Sequence, residues 1–237
     1  MKKELFSIKS AINFLNIFIY DFKNRDSVDF GSRKINIIKK FEDKKTDTQA
    51  FVGSCGICYY IFFRGTETKP IRIRDLWTDI NFFKKPIPFR NNDKIEWNKI
   101  KVHGGFLKAY SSIREKLITF LLDIVDLQDK PVFCTGFSMG GALAELASFD
   151  ISINCNINPI TYLFANPRLG NKYFSETLEE YNPNIFRMKH KYDIITHLPF
   201  ELMGFKHSGT QIKIHSGEWN PIKIHNFYRY KKGLKKL

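Results

Sequence analysis

The stretch "FCTGFSMGGALAEL" places one hydroxyl, Ser138, between Gly136 and Gly140. A serine hydroxyl becomes a nucleophile when a neighbouring base takes its proton, and acyl transfer also needs donors for the oxyanion that develops. A strand-turn-helix elbow meets both needs. Small residues let the chain turn sharply, and the following helix aims its N-terminal amides and positive dipole end at the reacting centre. Here β-like "PVFCTG" precedes Ser138, and "MGGALAELASF" follows with Met139, Leu143 and Leu146 on one side of a helix.

In the α/β-hydrolase arrangement the acid and then the histidine follow the serine along the chain. Asp193, just after strand-like "IFRMKHK", suits the acid, and His190, His197, His207, His215 and His225 all come late enough to be the base. Order alone leaves the histidine open. Cys55 and Cys58 form a CxxC, but they lie in strand-like "AFVGSCGICYYIFFRG" with no second Cys/His pair at zinc spacing. Buried, reduced thiols are expected, with neither a redox nor a metal role.

The elements that must position these residues follow from periodicity. The opening "MKKELFSIKSAINFLNIFIYDF" is expected to be helical, with Lys9, Asn13 and Asn16 on one face and Ile12, Leu15, Phe18, Ile19 and Phe22 inward. "AFVGS" and "CYYIFFRG" are expected as strands joined around Gly56, followed by an irregular segment from Thr66 to about Lys101. Phe106, Tyr110, Ile113, Leu117, Leu121 and Ile124 recur at helical intervals. Strands and helices then alternate through "PVFCTG", the helix from Ser138, "ITYLFA", "KYFSETLEEY" and "IFRMKH", with "GTQIKIHS" as an edge strand. That alternation implies an α/β fold with a mostly parallel sheet flanked by helices.

Composition sets the bounds. A chain of 237 residues, 43% hydrophobic and with 23 Phe, can bury one substantial core, so a single domain over residues 1–237 is expected. The net charge of +14 would attract a polyanion, whether nucleic acid or an anionic lipid surface. Polar residues interrupt the apolar N-terminal region and no cleavage site follows, so it does not match a signal peptide. No apolar run approaches the ~18 residues of a membrane span. The expected location is the cytoplasm or a membrane periphery.

Across residues 50 to 230 the chain resembles the class 3 triacylglycerol lipases, whose motifs recur here in the family's order. "FFRGT" is similar to the oxyanion-strand motif, "DLWTDINF" to the Asp-Trp-Asp block that follows it, and "VHGGFLKAY" to the helix entry. "TGFSMGGALA" is similar to TGHSLGGALA, "FANPRLGN" to FGSPRVGN and "YDIITHLPF" to the DIVPHLPP acid loop. "HSGTQIKI" and "IHNFYRY" resemble the last strand and the terminal DHLxYF motif. The resemblance implies Ser138 as nucleophile, Asp193 as acid and His225 as base. It also implies the backbone amides of Thr66 and Met139 as oxyanion donors, and a structural role for His207. Phe137, Met139, Ala165, Thr196 and Ile224 depart from the family's residues without removing a triad member.

The resemblance further implies that "ETKPIRIRDLW" forms a lid whose Ile71, Ile73, Leu76 and Trp77 meet lipid, an ordinary surface loop being the alternative. Arg64 and Asp79 are a candidate pair there. The expected activity is hydrolysis of lipid carboxylic esters through an acyl-enzyme, with no cofactor, no nucleic acid and a peripheral contact with anionic membrane. A phospholipase A1 or short-chain esterase is the nearest alternative. A non-catalytic, basic membrane- or nucleic-acid-binding protein on the same scaffold is the alternative of a different class.

Overall fold

The computed structural model describes residues 6–18, 24–65, 83–89 and 92–237. Strands β1 (Ser27–Phe30), β2 (Arg33–Asp43), β3 (Thr48–Ser54) and β4 (Tyr59–Phe63) run antiparallel in succession. β5 (Lys84–Pro86) and β6 (Lys101–His103) form a small antiparallel ribbon. β4 pairs in parallel with β7 (Val132–Phe137), and β8 (Ile160–Phe164), β9 (Ile185–His190) and β10 (Thr210–Ile214) extend the parallel half. The eight-stranded sheet has the order β1-β2-β3-β4-β7-β8-β9-β10, with "GTQIKIHS" at the expected edge.

The helices are α1 (Ile8–Ile17), α2 (Gly104–Leu122), α3 (Met139–Asn154), α4 (Lys172–Tyr181), the short α5 (Pro221–Ile224) and α6 (Phe227–Leu234). Alternation along β4 divides its side chains between two cores. Ile61 and Phe63 face the residues of α2, α3 and α4, whereas Tyr60 and Phe62 face those of α1 and α6. All five β4 residues are buried, as a central strand covered by helices on both sides requires. α3 is buried nearly all round because it lies between the sheet and α2, which explains its weak amphipathic pattern.

The stripe of α1 differs from the expected one. Ala11, Phe14, Leu15 and Phe18 turn inward at three- and four-residue spacing, joined by Ile17, while Ile12 is half-buried. The Phe14 ring touches Phe30, Tyr60, Phe62, Phe133 and Tyr162, so aromatic packing sets the helix's rotation. Ile19 and Phe22 lie outside the described residues. α2 follows its periodic pattern to Leu121, and Ile124 falls beyond its end.

Candidate active site

β7 runs into α3 with a turn at Ser138, whose backbone adopts φ 57° and ψ −122°. A non-glycine residue at positive φ costs ~1–3 kcal/mol and persists where surrounding contacts overdetermine it. Those contacts leave no room for side chains on the flanking glycines. A Cβ on Gly136 would lie 2.0 Å from the Gly140 carbonyl oxygen, and one on Gly140 would lie 2.4 Å from that of Phe63. The Ser138 amide donates to the Phe164 carbonyl at 2.8 Å, tying the elbow to β8.

His225 follows α5 and is 7% exposed, and Asp193 lies beyond the end of β9 with no exposure. His225 Nδ1 lies 2.8 Å from Asp193 Oδ2, and His225 Nε2 lies 2.8 Å from Ser138 Oγ. A carboxylate only accepts, so Nδ1 carries the proton and Nε2 is left to accept from the serine hydroxyl. Of the candidate histidines, His225 is the one whose ring meets both Ser138 and Asp193. His190 faces Ser216, His207 bonds the Thr196 carbonyl, His215 accepts from the Gly217 amide, and His103 caps α2 through Nδ1.

Besides His225, two groups hold the carboxylate itself, and others brace its loop. Asp193 Oδ1 accepts from the Ile195 amide at 3.0 Å, and Tyr230 of α6 donates its hydroxyl to Oδ2 at 2.7 Å beside His225. The Thr196 hydroxyl donates to the Asp193 carbonyl at 2.8 Å. Arg168, from the "FANPRLGN" block, clamps the loop through the carbonyls of His197 and Pro199 and the carboxylate of Glu201. His207 braces the same loop at 2.7 Å from the Thr196 carbonyl, and burial pushes its imidazole well below the usual histidine range. Its structural role is thus visible.

Tyr230 was not identified from sequence. It lies five residues past His225 within "IHNFYRY", and only the packing of α6 against β9 and β10 shows that it, rather than exposed Tyr228, reaches the acid. Phe137, where the family has histidine, forms an aromatic wall with ring centroids 5.2 Å from His225, 4.3 Å from Phe227 and 5.4 Å from Tyr230.

Met139 opens α3 directly after Ser138, where helix amides point toward the N-terminus. The chain leaving β4 passes the same elbow, since a Cβ on Gly65 would lie 2.7 Å from the Phe137 carbonyl oxygen and 3.9 Å from Ser138 Cβ. Thr66, Asp79 and the lid segment with Ile71, Ile73, Leu76 and Trp77 lie outside the described residues. Arg64 Nη1 donates to Gln49 Oε1 at 2.6 Å. Among the described residues no group of three or more His, Cys, Asp or Glu side chains could hold a metal ion, and no helix is long and apolar enough to cross a membrane.

A largely parallel sheet with a Ser–His–Asp row on a strand-turn-helix elbow defines an α/β-hydrolase-fold protein with a serine-type triad. The sequence model of the family described as lipase (class 3) matches residues 60–203, and the chain belongs to this family. It is 29% identical over 184 residues to a lipase of Rhizomucor miehei, covering 75% of this chain and 48% of that protein. It is 31% identical over 164 residues to phospholipase A1-Igamma2, chloroplastic, of Arabidopsis thaliana, covering 59% of this chain and 30% of that protein. Lipase II from Rhizopus niveus superposes with a TM-score of 0.71 at 26% identity, covering 92% of this chain and 82% of that one. The chain spans about half the length, or less, of these sequence relatives.

Proposed function

We propose that this chain is a serine esterase that hydrolyses carboxylic esters of lipids. The observation that carries the reading is the connected row Ser138 Oγ–His225 Nε2–Asp193 Oδ2, with both contacts at 2.8 Å. His225 accepts the Ser138 proton as the oxygen attacks the ester carbonyl, and Asp193 steadies the imidazolium that forms. The Met139 amide and, from the family resemblance, that of Thr66 stabilise the oxyanion. His225 then returns the proton to the departing alcohol. A water molecule, deprotonated by the same imidazole, releases the fatty acid and restores Ser138.

Activity toward a p-nitrophenyl ester should fall at least ~10³-fold in Ser138→Ala, as loss of a triad nucleophile does elsewhere. Equal rates in variant and wild type would eliminate the assignment. The charge of +14 and the similarity to a plant phospholipase A1 favour phospholipids as a second substrate class. A peripheral contact with anionic membrane accompanies that reading. Its support is a group of exposed apolar side chains, Phe83, Phe200, Leu202 and Met203, in two segments brought side by side where Lys84 Nζ donates to the Met203 carbonyl at 2.6 Å. Release of fatty acid from acylglycerol and phospholipid, compared at equal bulk concentration, distinguishes the two substrate classes.

A further inference from the structure

The hydrolytic site leaves the CxxC of the β3–β4 hairpin unused, and its geometry departs from the expected pair of inert buried thiols. The ladder ends at Ser54 opposite Tyr59, and the Cys55 amide donates to the Cys58 carbonyl at 3.2 Å. Cys55 and Cys58 therefore face each other across a two-residue loop of Gly56 and Ile57. Gly56 adopts φ +86°, which a glycine accepts without strain and the tight reversal requires. Facing residues in an antiparallel ladder have Cα atoms ~4.5–5.5 Å apart, within the span a disulfide bridges.

The two sulfurs are 3.0 Å apart, so no backbone rearrangement is needed to bring them into bonding range. Their surroundings differ. Cys55 is half-buried beside exposed Gly56 and Ile57, whereas Cys58 is 4% exposed and its thiol donates to the Tyr60 hydroxyl at 3.1 Å. The other cysteines cannot compete. Cys134 is fully buried with its thiol on the Ala144 carbonyl, and Cys155 is 4% exposed at the end of α3.

We propose that Cys55 and Cys58 form a thiol–disulfide exchange site that closes to an intramolecular disulfide at the expense of a small-molecule disulfide such as oxidised glutathione. The Cys55 thiolate attacks one sulfur of the disulfide, forming a mixed disulfide and releasing one small thiolate. Cys58 then gives up its proton to solvent and attacks Cys55 Sγ, forming the Cys55–Cys58 bond and expelling the second small thiolate. Two electrons pass from the protein dithiol to the small disulfide, and two small thiols result. The order of attack agrees with the two environments. Burial raises both thiols, but hydrogen bonds from Cys58, Ile57 and Tyr60 bring Cys55 below the usual thiol value, while Cys58 stays pushed up to about 11. The pair occupies the end of β4 remote from Gly65 and the elbow, so its redox state can be read independently of ester hydrolysis.

The test is equilibration of the native, full chain with oxidised glutathione at mildly alkaline pH, followed by intact and peptide mass measurement. Wild type should lose two hydrogens, carry no adduct, map its bond to Cys55–Cys58 and regain both thiols with dithiothreitol. Cys58→Ser should accumulate one glutathionyl group on Cys55, and Cys55→Ser should acquire an adduct at least tenfold more slowly. Wild type retaining four thiols at equilibrium, a stable glutathionyl adduct without ring closure, or a bond to Cys134 or Cys155 would each overturn the proposal. The wild-type measurement decides the matter even where a variant fails to fold.

Discussion

A few residues depart from their family's pattern, and for Ala165 the structure gives a physical reason why the change is tolerated. Ala165 stands where the family has glycine and adopts φ +53°. That conformation costs an L-residue ~1–2 kcal/mol. Glycine there would loosen the unfolded chain by ~0.4–1 kcal/mol and forgo a buried methyl worth ~0.8 kcal/mol. These effects nearly cancel, so alanine can occupy the site. Glu145 is a fully buried acid in α3 whose Oε2 accepts from Asn166 at 2.9 Å. Burial raises its carboxyl to about 7, against the opposing charge of Arg187. Between the ordinary carboxyl value and pH 7 the folded chain keeps a proton that the unfolded chain has lost, so this group's contribution to stability declines as pH rises, by ~3 kcal/mol in all. His103, lowered to about 4 by burial, acts in the opposite sense between pH 4 and 6.5. Comparing Glu145→Gln with wild type cancels that term. Urea unfolding at pH 4 and pH 8 should show the variant gaining ~3 kcal/mol relative to wild type at the higher pH; a gap independent of pH would contradict the buried, protonated acid.

Among the elements, α1 contributes most to the core shared with α6, through Phe14 at 0% exposure. Phe14→Ala should lower stability by ~3–5 kcal/mol in urea unfolding, since five aromatic neighbours would line the cavity. A loss below ~1 kcal/mol would mean that α1 merely rests on the sheet. Elements with regular patterns were legible in sequence: β9 and α4 coincide with "IFRMKH" and "KYFSETLEEY". β1 and β2 were not. β2 buries only Ile35 and Phe41 of eleven residues, and the register shift between Ile37 and Lys39 breaks the alternation by which a half-buried strand is recognised.

At the scale of the whole molecule, charge and exposed apolar surface act together. The proposed membrane contact predicts binding to phosphatidylglycerol-containing vesicles that weakens at least roughly tenfold as salt rises from ~0.05 to ~0.5 M, because screening shortens the reach of the lysines. Leu202→Ser should weaken binding about tenfold at either salt concentration by withdrawing one fully exposed leucine from the lipid. Vesicle flotation measures both effects. Equal binding to neutral and anionic vesicles would contradict the electrostatic part, and an unaffected Leu202→Ser would remove residues 200–203 from the contact.

By itself the sequence determined the elbow, the acid and the alternation of strands and helices. Each is local: glycine spacing, a strand end and a repeat of two or three to four residues are written in consecutive positions. Reading the residues alone left five histidines as candidate bases, and the resemblance selected among them by position. Tertiary structure decided that His225 meets Ser138 across 87 positions, that Tyr230 rather than Tyr228 holds Asp193, and that two thiols face each other over a hairpin. Such pairings depend on where a sheet's order and the rotation of its covering helices bring distant side chains, and no local pattern encodes that distance.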